Sequence, residues 1–331
     1  MTREDIKITN KDGKIVGKDP ETGDIVPIEL GSIQVDNIDL DERNLTLGAG
    51  SSTNRDNSTV IGGGAELDVV PDESHNEDEA VVIGTDAFSN TGWSVTIGAN
   101  AESRYDEEDE GDSIITIGRN ATAVGHSNVV IGQSASATNE VRQTVIGRGA
   151  EADGARHGIA IGYKPHTTGG ESIVIGKESD VLANFAIGIG SEVTSSGGRA
   201  IALGDGAEAS DSSSTAIGNS PVASGQRSTA ISRAATADTE GSIAIGNNST
   251  AGENGLSATA VGNESEATDS SSVALGDNAT ADGVTSIAIG RDANTSEDNT
   301  MVVALDFDNV LKLDDDGNLE ITGELTENAD L

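Results

Sequence analysis

Short runs of alternating aliphatic and small residues recur through most of the chain, each closed by a glycine, as in SVTIG, TVIG, SIVIG, SIAIG and SVALG. Taking the residue after the last aliphatic as an anchor gives 17 positions: Gly48, Gly62, Gly84, Gly98, Gly118, Gly132, Gly147, Gly162, Gly176, Gly188, Gly204, Gly218, Ser232, Gly246, Gly262, Gly276 and Gly290. Nine of the 16 intervals are 14 residues, and the 12 and 16 that flank Gly188 sum to two periods. The residue before the anchor is always Ile, Leu or Val, and the third before it is β-branched, Leu or Phe. The third after it is always Ala, Ser or Pro, and Ser or Asn is common four or five before it, as at Ser94, Asn128, Ser242 and Ser286.

Period two within each run predicts strands, because alternate residues share a face. A 14-residue period is too short for a pair of helices. It holds two short strands and two tight turns, stacked on the next coil about 4.8 Å away. The glycine permits a turn conformation that a Cβ would penalise. The fold expected is all-β: a parallel β-roll, or solenoid, of about 17 fourteen-residue coils. With the third and first residues before the anchor pointing inward, the residue between them faces out. That residue is apolar or Thr in every coil, so it is expected to bury against other chains. The interface residues expected on this basis are Val60, Val82, Val130, Val174, Ala202, Ala216, Ala244, Ala274 and Ala288.

The repeat occupies residues 44–300 and divides the chain into three. Residues 1–43 alternate around Asp12-Gly13, a hairpin signal, and a second extended pair is expected through Ile25, Ile28, Ile33 and Val35. This N-terminal β module serves as an attachment or a cap on the first coil's edge. Residues 301–331 alternate around Asp316-Gly317 and predict a C-terminal hairpin.

The motif SIAIGNNSTA, Ser242 to Ala251, with its copies around Gly276 and Gly290, resembles the head repeats of YadA-like trimeric autotransporter adhesins. The resemblance covers about residues 44–296. It implies a left-handed β-roll, three of which associate about a common axis, and so a homotrimer. The segment LKLDDDGNLEITGELT also resembles terminal segments of viral tail-fibre and spike chains.

Composition adds exclusions. The 331 residues carry 57 Asp and Glu against 19 Lys and Arg, a net charge of −38, with 2% aromatic residues. So few large side chains exclude a thick globular core. The absence of cysteine excludes disulfides, thiolate nucleophiles and Cys-based zinc sites. An acidic surface repels nucleic acid, and no apolar run is long enough to span a membrane. Abundant carboxylates with little lysine suit a protein of molar salt, where self-repulsion is screened.

Candidate chemistry is sparse. Four histidines, at 75, 126, 157 and 166, lack metal-ligand spacing. The Asp314-Asp315-Asp316-Gly317 run fails the EF-hand pattern, because Lys312 stands where the first Asp belongs. Sequons such as those at Asn120 and Asn278 are expected by chance in an Asn- and Thr-rich repeat. No nucleophile elbow, phosphate loop or dinucleotide fingerprint occurs, so no enzyme, cofactor or metal is expected.

Two long turns, 69–80 and 102–111, interrupt the period. They bring Asp72, Glu73, Glu107 and Glu108 near Phe88, Trp93 and Tyr105, which form the expected receptor contact. With no apolar secretory leader at the N-terminus, the expected function is a virion spike, turret or tail fibre of a haloarchaeal virus. It would be assembled in the host cytoplasm, extracellular after release, and joined to other capsid or tail proteins. Its receptor would be a host surface molecule such as an S-layer glycoprotein or glycan. The alternative is a cell-surface adhesin of a halophilic microbe. Neither involves nucleic acid or membrane insertion.

Overall fold

The computed structural model describes residues 9–11, 14–18, 25–27, 44–54, 57–68, 79–104, 113–138, 142–304 and 310–322. The chain forms two units, Met1–Asp41 and Glu42–Leu331. In the first, Thr9–Lys11 pairs antiparallel with Lys14–Lys18, placing Lys11 opposite Lys14 across the expected Asp12-Gly13 turn. Ile25–Pro27 pairs antiparallel with the other edge of Lys14–Lys18. Ile28, Ile33 and Val35 lie outside the described residues.

The second unit is a parallel β-solenoid, with no helix among the described residues. First strands from Leu45–Leu47 to Met301–Ala304 form one parallel ladder, and return strands from Ser52–Thr53 to Asn294–Thr295 form the other. Register is constant from coil to coil: Ala202, Ala216, Ala230 and Ala244 stand in line. Each coil donates backbone N–H groups to carbonyls of its neighbours, as from Ile201 N to Ser214 O at 2.9 Å and from Gly204 N to Ile189 O at 2.9 Å. The backbone is thereby satisfied although each strand is only two to five residues long.

The anchor glycine is required twice over. At Gly204 φ is +133°, and a Cβ there would lie 1.7 Å from the carbonyl oxygen of Gly218. Ser232, the one exception in the column, is held at φ +115°. Two further left-handed residues occur in nearly every coil, two after the anchor and five before it, for example Asn248 and Arg227. They make the two corners at which the chain turns.

The aliphatic columns face the opposite way from the sequence expectation. In the coil of Gly246 the inward side chains are Ser242, Ala244, Ser249 and Ala251, all fully buried. The flanking Ile243 and Ile245 point outward, half-buried and 36% exposed respectively. The same holds along the stack. Val60, Val82, Val130, Val174, Ala202, Ala216, Ala244, Ala274 and Ala288 are each 0% exposed within the single chain. They form the core and have no surface left for a partner, so the expected interface residues are corrected. The reason is volume: a coil closed in 14 residues leaves room between its sheets for Ala, Ser, Thr and Val but not for paired Ile columns.

The core is lined partly by hydroxyls. The serine four before the anchor returns its hydrogen to the carbonyl of the preceding turn, as from Ser242 Oγ to Thr239 O at 2.7 Å and from Ser272 Oγ to Asp269 O at 2.7 Å. Thr96, Ser103 and Thr116 form a buried hydroxyl chain at 2.7 and 2.8 Å. Asn128 bridges coils, donating to Val124 O at 2.9 Å and accepting from Gln143 N at 2.8 Å.

The irregular spacing at Gly188 also resolves. Gly190, not Gly188, aligns with Gly176 and has the anchor's φ of +151°, which restores two 14-residue intervals. Gly188 occupies the inward column between Val174 and Ala202. A Cβ there would lie 2.6 Å from Val181 Cγ2 and 3.3 Å from Val193 Cγ1. The two valines of the return side fill the space that the first strand gives up.

At the C-terminal end Met301–Ala304 adds to Ile287–Ile289 in parallel, as one more rung of the stack. The chain then reverses through Val310–Leu313 and Leu319–Thr322, both antiparallel, with Gly317 at φ +81° in the turn.

Candidate interaction surface

Three outer surfaces follow from the coil. The first is the exterior of the first ladder, built from the first and third residues before each anchor. None of these side chains is buried, from Leu45 and Leu47 to Met301 and Val303. Leu47, Ile115, Ile175, Ile189, Ile245 and Leu275 are exposed outright. An aliphatic strip, interrupted only by Thr59, Thr144, Thr215, Thr229 and Thr259, thus runs along the whole stack. Its signal was present in the sequence as the most hydrophobic columns of the repeat.

The second is the exterior of the return ladder, which is polar and acidic: Glu66, Glu102, Glu151, Asp180, Glu208 and Glu266 occupy one column in their coils. Partial burial, then Asp282 and Glu253, push the Glu266 carboxyl above its ordinary range. Phe88 lies on this face with the Arg104 guanidinium 4.8 Å from its ring centre, and Arg104 pairs with Glu102. Trp93, 44% exposed with φ +44°, instead stands at the following corner. Tyr105, Asp72, Glu73, Glu107 and Glu108 lie outside the described residues, as does most of both long turns.

The corners are the third surface. Polar side chains at the first corner are linked from coil to coil, as from Asn247 Nδ2 to Asn263 Oδ1 at 3.0 Å and from Asn263 Nδ2 to Asp277 Oδ1 at 2.9 Å. Tyr163 stands here, 37% exposed, with Arg148 Cζ 5.7 Å and Lys164 Nζ 5.3 Å from its ring. At the opposite corner Arg199 lies over Phe185 at 5.5 Å.

No group of three or more His, Cys, Asp or Glu side chains that could hold a metal ion forms among the described residues. His157 meets only Arg142, Nε2 to Nη1 at 3.4 Å, and His166 meets Asp180, Nδ1 to Oδ1 at 3.4 Å. Asp314 caps the terminal turn, accepting from Asn318 N at 2.7 Å and Asn318 Nδ2 at 2.9 Å, and these bonds hold its carboxyl below the usual aspartate range. No described helix is long and apolar enough to cross a membrane.

The C-terminal coils match a known repeat. The model of the YadA head domain repeat fits residues 195–220, 223–249, 254–279 and 281–303, together just under a third of the chain. Residues 195–303 are thus similar to the YadA head repeat. Among solved structures, the collagen-binding domain of the Yersinia adhesin YadA matches at 20% identity over 51% of this chain and 69% of that one, with a TM-score of 0.22. No curated protein matches the chain.

Proposed function

We propose that the chain is a non-enzymatic adhesive module displayed outside the cell, and that it works as a homotrimer packed through the aliphatic strip. The strip carries the proposal. A monomer exposing so long an apolar face would aggregate, so the face has a cover. A cover that reaches every coil needs the same 4.8 Å period and the same length. A second copy of the solenoid has both, and three copies are the stoichiometry that the head-repeat resemblance implies. Thirty-six side chains, none of them buried, present on the order of 1,000 Å² per copy, the size class of a standard interface at ~800 Å² per partner.

The head-repeat match supports the adhesin over the virion spike, and no finding points to capsid or tail partners. Rigid, acidic coils separate an anchored end from a contacting surface, and the corners present side chains without disturbing the core. The test is the mass of the full chain by light scattering, then adhesion of beads coated with it. Three chains of 33.4 kDa give about 100 kDa. A particle of 33.4 kDa in both dilute and molar salt would falsify the assembly, and coated beads that bind no cell surface would remove the adhesin.

A further inference from the structure

The charge of the chain is unevenly distributed. Residues 114–199 hold seven Lys and Arg (119, 142, 148, 156, 164, 177, 199) against seven Asp and Glu, and three of the four histidines. The other 245 residues hold 12 against 50. The solenoid brings four of the seven cations of this neutral window to one corner, where Glu178 and Glu192 also lie, and three of its seven carboxylates to the return face. Glu151, Asp153 and Asp180 go to the return face. Arg119, Arg148, Lys164 and Lys177 go to the first corner, within two residues of their anchor glycines and exposed.

Among the described residues, Arg119, Arg148 and Lys164 have no acidic partner, while Lys177 is shared by Glu178 at 3.3 Å and Glu192 at 3.6 Å. In a chain with a threefold excess of carboxylates, two exposed cations left unpaired on adjacent coils, Arg148 and Lys164, with Arg119 two coils before Arg148, need an account. The corner is also built differently here. Ile159–Tyr163, Ile173–Lys177 and Ile187–Ser191 are five residues long where most first strands have three, and they bring Tyr163, Lys177 and Ser191 into register past the glycines. The Tyr163 ring is thus held on a hydrogen-bonded ladder rather than on a free turn, flanked by the cations of Arg148 and Lys164.

We infer that this corner, Arg148, Tyr163 and Lys164 with Lys177 beside them and Arg119 two coils before Arg148, is a binding site for an acidic polysaccharide carrying carboxylate or sulfate groups. The exposed part of the Tyr163 ring offers apolar contact to a sugar, and the cations on adjacent coils bind its charged groups. An extended chain of sugars suits a linear array of coils, whereas a compact anion would engage one cation at a time. The inference deepens the adhesin reading by naming the surface chemistry it would recognise.

The experiment uses the full chain over immobilised heparin for sulfate, polygalacturonate for carboxylate and dextran as the neutral control, at 50 and 500 mM salt. The expected result is binding to at least one polyanion and none to dextran, weakened at the higher salt. Arg148→Gln with Lys164→Gln, and separately Tyr163→Ser, should each weaken binding about tenfold or more, with melting unchanged. Arg233→Gln, which alters a cation outside the window, should leave it unchanged. No binding to either polyanion, equal binding by the double variant, or equal binding to a DNA duplex would each overturn the site. Bead adhesion is read separately: adhesion that persists in the double variant removes the polysaccharide site and leaves the adhesin standing, and loss of all adhesion by the native chain removes the adhesin.

Discussion

Placing an aspartate at two successive residues separates core from surface in this fold. Ala244 is fully buried, in line with Ala230 and Ala260 of the neighbouring coils and opposed by Ser249 and Ala251. Ala244→Asp adds three heavy atoms where a coil is already filled, costing about 1–3 kcal/mol. It also buries a carboxylate with no cation nearby, which costs several kcal/mol more. A loss of about 5 kcal/mol at one coil exceeds what a single coil contact contributes in a stack held only by its neighbours, so the solenoid should open there. Ile245 lies one residue further on and is 36% exposed. Ile245→Asp sacrifices part of one outer contact, about 1–2 kcal/mol, and leaves the coil closed. Its effect is expected on association, because it places a charge in the strip. Hydrogen exchange of the coils around residues 230–260 reads the first effect, and light scattering reads the second. Native-like protection in Ala244→Asp together with exchange collapse in Ile245→Asp would invert the assignment of the two faces. Native mass in Ile245→Asp would remove the strip as the interface.

Further outcomes follow from other positions. Ser232→Gly relieves a non-glycine residue at φ +115° and should stabilise by about 1 kcal/mol, read as a higher melting temperature; a fall would contradict the strain. Gly204→Ala, with its Cβ 1.7 Å from a carbonyl oxygen, should cost about 3 kcal/mol or more. Because the folded carboxyl of Asp314 is depressed by its bonds from Asn318, its contribution to the terminal hairpin is present above the ordinary aspartate value and is lost as pH falls through the lower folded value. The protection factors of the Leu313 and Asn318 amides, corrected for the intrinsic pH dependence of exchange, should therefore fall in acid, and in Asp314→Asn at neutral pH. The net charge of −38 makes melting depend on salt: the Debye length falls from ~30 Å at 0.01 M to ~3 Å at 1 M, so the melting temperature should rise between them. A flat profile would contradict the role given to self-repulsion.

The period, the strands, the glycine column and the terminal hairpins were legible in the sequence, because each is fixed by local spacing and turn chemistry. The direction in which the columns face was not. Hydrophobicity ranks Ile245 above Ala244 and sends it inward, whereas the room between two sheets closed in 14 residues admits only the smaller side chain. Gly188 misled for a related reason: the run IGIG offers two glycines in alternate positions, and only the volumes of Val181 and Val193 on the return side decide which one is the anchor. The cationic corner was hidden because residues such as Arg148, Lys164 and Lys177 are more than ten apart in the chain and become neighbours only by stacking.

The exchange of volume between Gly188 and its two valines bears on how such an array can lengthen. A coil whose first strand has given up its side chain is habitable only beside coils whose return strands have grown, so the two cannot be copied apart. Duplicating a single coil from this stretch would insert either a void or a clash. Between Ala202 and Ala288, where the inward residue of every first strand is alanine, any coil can follow any other. The alanine stretch of the solenoid is therefore the part free to gain or lose units, whereas the coils that carry Gly188, Val181 and Val193 depend on one another.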